Sequence, residues 1–401
     1  MSHCLLLSDQ VGVPPGLPTF SQVTWLAFAP VFCVAPRTNN MAEGQTTPET
    51  ADQFALRMVN TVSSGFVSLG IAVGARTGLV AQLAEADGPE TAVQIAEKAN
   101  MKERYVREWL AIMATARIVD YDKEQKTYFL PKHRVGALLP DGAMGSMGNW
   151  SDFVRQSAMV TNDVADCFKN DGPKGVPYSA YPDFQGWMGN IKEHEHKSLV
   201  SKFLPTIPGL GEALEFGIKV LDAGCGRGIA TLTLAQHFPK STFIGTDLSD
   251  EVIQWASEES NKRGLANVTF KVHDLVKMPA DWSDSFDYVL VWDVIHDQAD
   301  PETALREIFR MVKPGGRFSM VDIKGHSELA DNMDNPAAPL LYGVSLFHCM
   351  TVSLYFGGKG LGTLWGQELA AQMLQEAGFT DVKALDIPHS PVEIHFLCNK
   401  P

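Results

Sequence analysis

The chain has 401 residues, of which 45% are hydrophobic and 20% charged, as in soluble globular proteins. This length allows a large core and favours two domains. The formal net charge of −14 argues against a polyanion as the main partner, because phosphate binding depends on an excess of lysine and arginine. The six cysteines form no C-x-x-C pair, which favours reduced thiols in a cytoplasmic protein over a disulfide framework or a zinc site.

The first 40 residues predict a segment separate from the folded protein. Their apolar stretch, FSQVTWLAFAPVFCVAP, is too short to span a bilayer and contains Pro30 and Pro36. No basic stretch precedes it, so a signal peptide is the weaker interpretation. Because Met41 opens an ordinary cytosolic start, we predict that residues 1–40 are a disordered or non-native extension.

Residues 41–140 predict a helical domain with a winged helix-turn-helix. Two helices, 91–98 and 103–116, are followed by two short strands around the charged turn 122–126. Between residues 90 and 134, nine Lys and Arg stand against seven Asp and Glu, and a net of +2 is a poor footprint for duplex DNA. We therefore expect no nucleic-acid partner and a role in dimerisation or as a pocket wall. Before this motif, a helical pattern over 51–87 has apolar residues at Phe54, Met58, Val62, Phe66, Leu69 and Val73.

Residues 141–215 predict a connector that contains an aromatic cluster, YSAYPDFQGW. Core packing is one interpretation of this cluster, and an apolar lining for an organic substrate is the other. Under the second interpretation, Tyr181 and Trp187 belong to a substrate pocket. Farther along, His194 and His196 alternate in a charged run, which favours solvated side chains over a metal site.

From residue 216 onward, strands and helices alternate, which predicts an α/β fold with a parallel sheet. Ligands of such sheets bind beyond the carboxyl ends of the strands, where the strand order reverses. The turn VKPGG is expected to force a reversal before the strand RFSMVDI. The predicted strands are 218–222, 242–247, 268–273, 288–294, 317–322, 382–386 and 394–399, and the predicted helices are 229–237, 250–263, 301–311 and 367–376.

Three glycines, Gly224, Gly226 and Gly228, follow the first strand in VLDAGCGRG. A turn without side chains lets a ligand lie against backbone N–H groups at the start of a helix. The pattern departs from the dinucleotide fingerprint G-x-G-x-x-G because its third glycine comes one residue early, which argues against a dehydrogenase. No G-K-[ST] follows to bind phosphates.

Acidic residues follow the next strands. Asp247 ends the second strand, where a carboxylate binds ribose hydroxyls, although Asp247 with Ser249 also fits the opening of a helix. Asp274 follows the third strand, where it is placed to bind an adenine amino group or is simply an exposed loop acid. After the fourth strand, FDYVLVWDVIHD places further polar residues at the same edge of the sheet: Asp293, His296 and Asp297.

Five segments of the chain resemble, in order and spacing, the motif series of class I S-adenosylmethionine-dependent methyltransferases. They are VLDAGCGRG, IGTDLS, HDL, FDYVLVWDVIHD and MVKPGGRF. Three further features are similar to those of a subgroup of bacterial and animal methyltransferases with an N-terminal winged-helix domain. They are the winged-helix start and the segments HDQADP and HCMTVSL…GGKGLGTLWG. Many members of that subgroup have no assigned substrate. The resemblance implies a Rossmann-like class I sheet, mostly parallel with an antiparallel last strand, over residues 216–401.

The resemblance also implies S-adenosylmethionine as the cofactor and a role for each motif. Asp222, Gly224 and Gly226 would line its methionine portion, and Asp247 its ribose. Asp274 and Leu275 would contact the adenine. Leu248 and Asp293 complete the predicted cofactor site.

The catalytic prediction is His296 as general base, with Asp297 beside it, because imidazole titrates near neutrality. The position is similar to the catalytic histidine in the HDW motif of winged-helix O-methyltransferases. Here Gln298 replaces the tryptophan, and in the related HHLPDP motif the histidine need not be a base. A pocket or packing histidine is therefore the alternative.

The insertion 324–366 is predicted to cap the pocket as a lid or, alternatively, to be a packed helical excursion. His348 and Trp365 within it are predicted to join Tyr181 and Trp187 around the substrate. We expect methyl transfer to a small organic acceptor, with oxygen favoured and nitrogen, sulfur or carbon open. A homodimer without metal or membrane partners is expected, and the alternative is a non-catalytic regulator that senses S-adenosylmethionine or a related nucleoside.

Overall fold

The structure is a computed structural model that describes residues 48–139, 147–196, 198–387 and 390–401. The chain divides into two compact units, 1–55 and 56–401. Within the first unit, residues 48–55 are described, and they include the start of a helix at Ala51. The prediction for residues 1–40 lies outside the described residues.

The predicted helix over 51–87 is two helices rather than one. Gly78 separates them with φ 78°, a left-handed conformation that glycine adopts without steric cost. The following helix begins with a capping box, in which the Thr91 hydroxyl accepts from the Gln94 N–H and the Gln94 side chain accepts from the Thr91 N–H. The elements are α1 (Ala51–Thr77), α2 (Leu79–Glu85), β1 (Glu90–Thr91), α3 (Ala92–Lys98), α4 (Glu103–Thr115), β2 (Asp120–Asp122), β3 (Thr127–Phe129) and α5 (Lys132–Leu138).

The expected helix-turn-helix and wing are present. Helix α4 buries Val106, Trp109, Leu110 and Met113 at helical spacing in the domain core. The Trp109 indole donates to the Gly70 carbonyl over 2.8 Å and fixes α1 to this core. Strand β1, which the sequence pattern did not indicate, completes a three-stranded antiparallel sheet in the order β1-β3-β2.

The connector is helical and is followed by a seven-stranded sheet. Its strands are β4 (Lys219–Ala223), β5 (Thr242–Asp247), β6 (Val268–Val272), β7 (Phe286–Trp292), β8 (Val312–Ile323), β9 (Thr380–Ile387) and β10 (Ser390–Asn399). They lie in the order β6-β5-β4-β7-β8-β10-β9. Strands β4 to β8 pair in parallel, and β10 pairs antiparallel with both neighbours. The elements in chain order are α6 (Met147–Met159), α7 (Thr161–Cys167), α8 (Phe184–His196), α9 (Leu210–Phe216), β4 (Lys219–Ala223), α10 (Ile229–His237), β5 (Thr242–Asp247), α11 (Asp250–Lys262), β6 (Val268–Val272), β7 (Phe286–Trp292), α12 (Pro301–Met311) and β8 (Val312–Ile323).

Alternate residues of the central strands bury opposite faces of the sheet. Leu221 and Val289 pack with α12 and the later helix α16 (Gln367–Glu376) on one face, whereas Val220 and Leu290 pack with α9 and α10 on the other. The strand order reverses at β4, so the carboxyl ends of β4, β5 and β7 border one crevice.

The sequence analysis placed a reversal of the chain at VKPGG, before the strand RFSMVDI, and this position is wrong. Strand β8 already pairs with β7 at Val312, opposite Phe286, and resumes at Arg317, opposite Tyr288. The intervening residues are therefore a bulge inside the strand, and Gly315 supplies its positive φ of 75°.

The insertion after β8 is largely helical. A π-helical turn over Ser345–Cys349 joins two of its helices into one helical stretch. The glycine-containing segment FGGKGLG follows. The remaining elements are α13 (Leu329–Asn332), α14 (Ala338–Val344), α15 (Met350–Tyr355), α16 (Gln367–Glu376), β9 (Thr380–Ile387) and β10 (Ser390–Asn399).

Two helical stretches of the described chain, Ala51–Thr77 and Ala338–Tyr355, are long and apolar enough to cross a membrane by length and composition alone. Core helices of soluble proteins meet the same criterion. The expected absence of a membrane partner stays a prediction.

Candidate active site

The glycine turn after β4 is shaped by a close backbone approach. Gly224 has φ 77°, and a Cβ there would lie 2.6 Å from both γ-methyl groups of Val294. Gly226 has φ 53°, and a Cβ added to it would meet no atom of the described residues within 4 Å beyond its chain neighbours, so one side of the turn is open in this part of the chain. The N–H groups of Gly224 and Cys225 both donate to the Thr246 carbonyl, which ties the turn to β5.

Asp247 joins the glycine turn to the start of α11. Its Oδ2 accepts from the Gly226 N–H and its Oδ1 from the Ser249 N–H, each over 3.0 Å. A carboxylate oxygen has a second lone pair, so both oxygens can still accept hydroxyl donors. Asp247 therefore opens the next helix, as one interpretation expected, and keeps the acceptor capacity that the ribose role needs. Leu248 beside it is 70% exposed.

Asp222 lies beneath the turn. It is buried and accepts a hydrogen bond from the Thr231 hydroxyl. Burial raises the pKa of Asp222 to about 6. In the structure Asp222 supports the turn, and its direct contact with a cofactor stays a prediction.

Asp274 and Leu275 follow β6 and differ in exposure. Asp274 is exposed, and its Oδ1 accepts from the Val276 N–H over 3.1 Å. Leu275 is buried in the core that backs β7. The two residues border the crevice on the β6 side, where the adenine role was predicted.

His296 lies in a 3₁₀ turn directly after β7 and is only 3% exposed. Its Nδ1 lies 2.8 Å from Asp322 Oδ1 at the end of β8, and its Nε2 lies 3.4 Å from Asp297 Oδ1. Burial by itself lowers the pKa of His296, but Asp322 and Asp297 outweigh burial and raise that pKa well above its ordinary value.

Asp297 Oδ1 is buried and has no hydrogen-bond partner among the described residues. Burial also raises the pKa of Asp297. A buried oxygen without a partner is costly, so a ligand hydroxyl that donates to it would be stabilising. The predicted catalytic pair is thus brought together at one polar point in an apolar surrounding.

Cys349 is the third side chain at this point, and the sequence pattern did not single it out. Its sulfur, His296 and Asp297 offer donor atoms that all lie within 4.8 Å of one another, a spacing that a metal ion could also use. Burial raises the pKa of the Cys349 thiol to about 11, so the thiol is neutral at physiological pH. The expected absence of a metal stays a prediction.

His348 lies in a cluster of aromatic rings. It stacks on Phe184 with ring centroids 3.9 Å apart, and Tyr181 and Tyr178 approach it edge-on. Burial lowers the pKa of His348 to about 3, so the ring is neutral, and its Nε2 has no partner within the described part of the chain. Trp187 stacks on Phe153 in the same cluster.

Three of the predicted pocket residues, Tyr181, Trp187 and His348, therefore lie together. Trp365 packs in the core that backs the sheet, where the chain after the insertion turns into α16. Its predicted place in the substrate pocket stays a prediction.

Asp293 is held by a lysine from the connector. Lys192 Nζ on α8 lies 2.6 Å from Asp293 Oδ2 and 3.8 Å from Glu393 Oε1 on β10.

The prediction that the histidines of this run are solvated is wrong for His196. This side chain is 5% exposed and packs edge-on against Trp292, because this side of α8 faces the sheet. Burial lowers the pKa of His196 to about 3.

Sequence reasoning missed Asp322, Cys349 and Lys192. Asp322 ends a strand of the predicted sheet, so the rule that found Asp247 also applies to it. Cys349 and Lys192 lie on helices outside the strand ends, and no local pattern marks them.

Comparison with known proteins found two family models. Residues 214–378 match a methyltransferase domain, and residues 65–139 match an Rv2258c-like winged helix-turn-helix domain.

Curated relatives match the second half of the chain. An S-adenosyl-L-methionine-dependent Diels-Alderase, iccD, from Talaromyces variabilis is 28% identical over 181 residues, which are 44% of this chain and 57% of the relative. A demethylmenaquinone methyltransferase from Geobacillus sp. (strain WCH70) is 26% identical over 189 residues, covering 45% of this chain and 78% of the relative.

The fold is similar to that of the mitomycin 7-O-methyltransferase MmcR, with a TM-score of 0.62 and 21% identity. That comparison covers 87% of this chain and 99% of the other. The similarity therefore extends over both the winged-helix part and the sheet.

Proposed function

We propose that this chain, an S-adenosylmethionine-dependent methyltransferase with an N-terminal winged helix-turn-helix domain, methylates a hydroxyl group of a small organic acceptor. The observation that carries the proposal is the pair of buried His296 and half-buried Asp297, whose Nε2 and Oδ1 lie 3.4 Å apart. The similarity in fold to a mitomycin 7-O-methyltransferase supports oxygen as the methylated atom. Nitrogen, sulfur and carbon acceptors are the alternatives.

The residues around the crevice suit the cofactor. The open side of Gly226 leaves room against the backbone, and Asp247 retains acceptor capacity for ribose hydroxyls. Carboxylates at positions 247, 293 and 297 suit a positively charged ligand. When bound, S-adenosylmethionine supplies a methyl group activated by its sulfonium sulfur.

The imidazole of His296 is oriented for proton transfer. With Nδ1–H donating to Asp322, the Nε2 lone pair faces Asp297 and the acceptor position. Nε2 would take the proton of the acceptor hydroxyl, and Asp322 would stabilise the imidazolium that forms. The aromatic cluster around His348 excludes water and aligns the acceptor.

The test is a set of variants assayed with isotope-labelled methyl donor against a metabolite extract and then against the acceptor it identifies. We expect His296→Ala to lower kcat by about 10²–10⁴-fold without loss of cofactor affinity, since a general base contributes that much. His237→Ala, on an exposed helix end, is the matched control.

Nearly intact turnover in His296→Ala would show that His296 only packs in the site, and it would reject His296 as the general base. Tight cofactor binding without any methylated product would instead favour a non-catalytic regulator, or an activity like that named for the Diels-Alderase relative.

We also propose that the protein is a homodimer through α1. Apolar side chains on this helix are more than half exposed, namely Leu56, Val59, Val62 and Phe66. A contiguous exposed apolar surface of this kind is typical of protein interfaces. A second copy of the chain fits it, because an amphipathic pairing of identical helices would bury both surfaces.

The expected result is a dimer by light scattering for the wild-type chain and a monomer for Val62→Asp with Phe66→Asp. Changing the exposed Asn60 to Asp on the same helix is the control. A wild-type monomer at micromolar concentration would contradict the dimer. We propose in addition that the protein is cytoplasmic and has no nucleic-acid partner, because the spacing of its cysteines favours reduced thiols and its net charge is −14.

A further inference from the structure

The turn that carries the catalytic pair is short and depends on its neighbours for its position. His296 and Asp297 lie in a single 3₁₀ turn, whose two closing backbone hydrogen bonds are long, at 3.2 and 3.3 Å. Asp322 fixes the His296 ring from β8, but Asp297 Oδ1 has no hydrogen-bond partner among the described residues. The position of Asp297 therefore depends on the backbone of this turn, here called the His296 turn (residues 295–299).

A buried serine of the insertion is bonded to the His296 turn. Ser353 on α15 is 1% exposed, and its hydroxyl donates to the Gln298 carbonyl over 3.3 Å. The same oxygen accepts from the Gly360 N–H over 3.3 Å. One hydroxyl therefore joins α15, the His296 turn and the glycine segment FGGKGLG (residues 356–362). The sequence pattern did not single out Ser353.

The glycine segment lies directly on the His296 turn. The Lys359 N–H donates to the Ala299 carbonyl over 3.3 Å, and the Lys359 ammonium pairs with Glu302 on α12. A Cβ added to Gly358 would lie 2.6 Å from the Ala299 Cα and 2.6 Å from the Ser353 hydroxyl oxygen. Only glycine allows so close an approach of two backbones. The glycine segment is thus packed against the residues that follow the catalytic pair.

Ser353 and Cys349 lie on one face of the insertion's helical stretch. They are four residues apart, so their side chains are neighbours on the helix surface. The Cys349 sulfur lies within 4.8 Å of donor atoms of His296 and Asp297, and Ser353 bonds to the residue that follows Asp297. The insertion therefore meets the catalytic pair at two successive helical turns, one through a thiol and one through a hydroxyl.

We propose that Ser353 is a positioning residue for methyl transfer, because its hydroxyl fixes the turn that carries His296 and Asp297. Ser353 acts through this turn and takes no part in the proton transfer itself. Displacement of a reacting group by 1 Å can lower a rate by about 100-fold, so a bond to the backbone beside the base matters for catalysis. The proposal rests on the general base of the proposed function and is independent of which acceptor atom is methylated.

The first experiment removes the hydroxyl and asks whether the loss passes through His296. Ser353→Ala is assayed with isotope-labelled methyl donor and the acceptor identified in the metabolite extract, both alone and in the His296→Ala background. Alone, it is expected to lower kcat by about 10–100-fold and to keep the affinity for S-adenosylmethionine, measured by calorimetry, within about twofold. In the His296→Ala background we expect a change in kcat of less than about twofold, because the base that Ser353 positions is gone.

Ser260→Ala is the matched control for this substitution. Ser260 is also a buried serine, but its hydroxyl bonds inside its own helix, to the Ser257 carbonyl over 2.9 Å. We expect this variant to keep the wild-type kcat, because no bond to the His296 turn is lost.

Two glycines of the insertion test the contact of the glycine segment. Gly358→Ala inserts a methyl group between Ala299 and Ser353, whereas a Cβ at Gly343 on α14 would meet no atom of the described residues within 4 Å. Neither glycine has a positive φ, so the backbone accepts alanine at both positions. We expect Gly358→Ala to lower kcat as Ser353→Ala does, and Gly343→Ala to leave it unchanged. Equal kcat in the two variants would show that these contacts do not hold the turn.

Hydrogen exchange measured by mass spectrometry gives a readout that needs no acceptor. We expect peptides over residues 293–300 to exchange faster in Ser353→Ala than in the wild-type chain or in Ser260→Ala, and peptides over β4 and β5 to stay unchanged. If Ser353→Ala does not fold, Gly358→Ala takes its place in the same comparisons.

Two results would overturn the proposal alone: unchanged exchange over residues 293–300, or a loss of kcat by the same factor with and without His296. The second result would mean that Ser353 supports the fold in general and not the base. Intact turnover in His296→Ala by itself would instead reject the general base of the proposed function, and this proposal with it.

Discussion

His296 shows how one residue acquires a function from its neighbours. Two carboxylates lie on opposite edges of its ring, and they raise its pKa although burial acts in the other direction. A histidine with a raised pKa is still protonated at a pH where an isolated imidazole has already lost its proton. A bound sulfonium, being positively charged, would lower that pKa again and restore the free base.

A pH prediction follows for Asp297→Asn. Only deprotonated His296 accepts a proton, so kcat/KM falls on the acid side with the pKa of the free enzyme. Because Asp297 raises the pKa of His296, its removal lowers that pKa, and the acid limb of kcat/KM moves to lower pH. Profiles measured between pH 5 and 9 test this, with the exposed Asp386→Asn as control. An unmoved acid limb would show that another group controls it.

At the scale of elements, the site depends on how closely the turn after β4 meets the turn after β7. Gly224 and Gly264 have similar positive φ values, 77° and 68°, but among the described residues only a Cβ added at Gly224 would meet an atom within 4 Å. The two positions therefore separate backbone strain from steric contact.

We predict that Gly224→Ala costs about 1–3 kcal/mol more in the free energy of unfolding than Gly264→Ala, and that it also weakens cofactor binding. The added Cβ would have to displace Val294 and, with it, the segment that carries Asp293 and His296. Urea unfolding and calorimetry measure both effects. Equal costs for the two substitutions would mean that strain alone matters at Gly224.

Much of the element order could be predicted because it depends on short-range physics. Helices over 229–237, 301–311 and 367–376 match the observed α10, α12 and α16, since apolar spacing and capping act within a few residues. The split at Gly78 and the bulge before Arg317 were missed, because a glycine conformation and a strand register depend on neighbours far along the chain.

At the scale of the whole molecule, buried histidines make stability depend on pH. Burial lowers the pKa of His196 and His348 to about 3, and that of His395 to about 4. In the unfolded chain these residues have pKa values of about 6.5. The unfolded state therefore binds more protons below that pH, so the stability from these residues is complete above about pH 6.5 and is lost as pH falls toward their folded pKa values.

We predict that His395→Phe reduces the pH dependence of the free energy of unfolding between pH 6.5 and 4.5. The slope should decrease by up to about 1.4 kcal/mol per pH unit, the value for one proton. Denaturation of the wild-type chain and the variant across this range measures the difference, and the exposed His237→Phe serves as control. Parallel curves would mean that His395 is already protonated in the folded state.

The sequence by itself determined the α/β fold and the resemblance to class I methyltransferases, because the motifs at successive strand ends are local patterns that a parallel sheet must bring to one edge. Only the tertiary structure decided that Asp322 meets His296 and that Lys192 meets Asp293. It also placed Cys349 in the site and Trp365 in the core. These contacts join residues far apart in the chain, and the packing of α8 and the insertion onto the sheet brings them together, which no pattern within a single segment encodes.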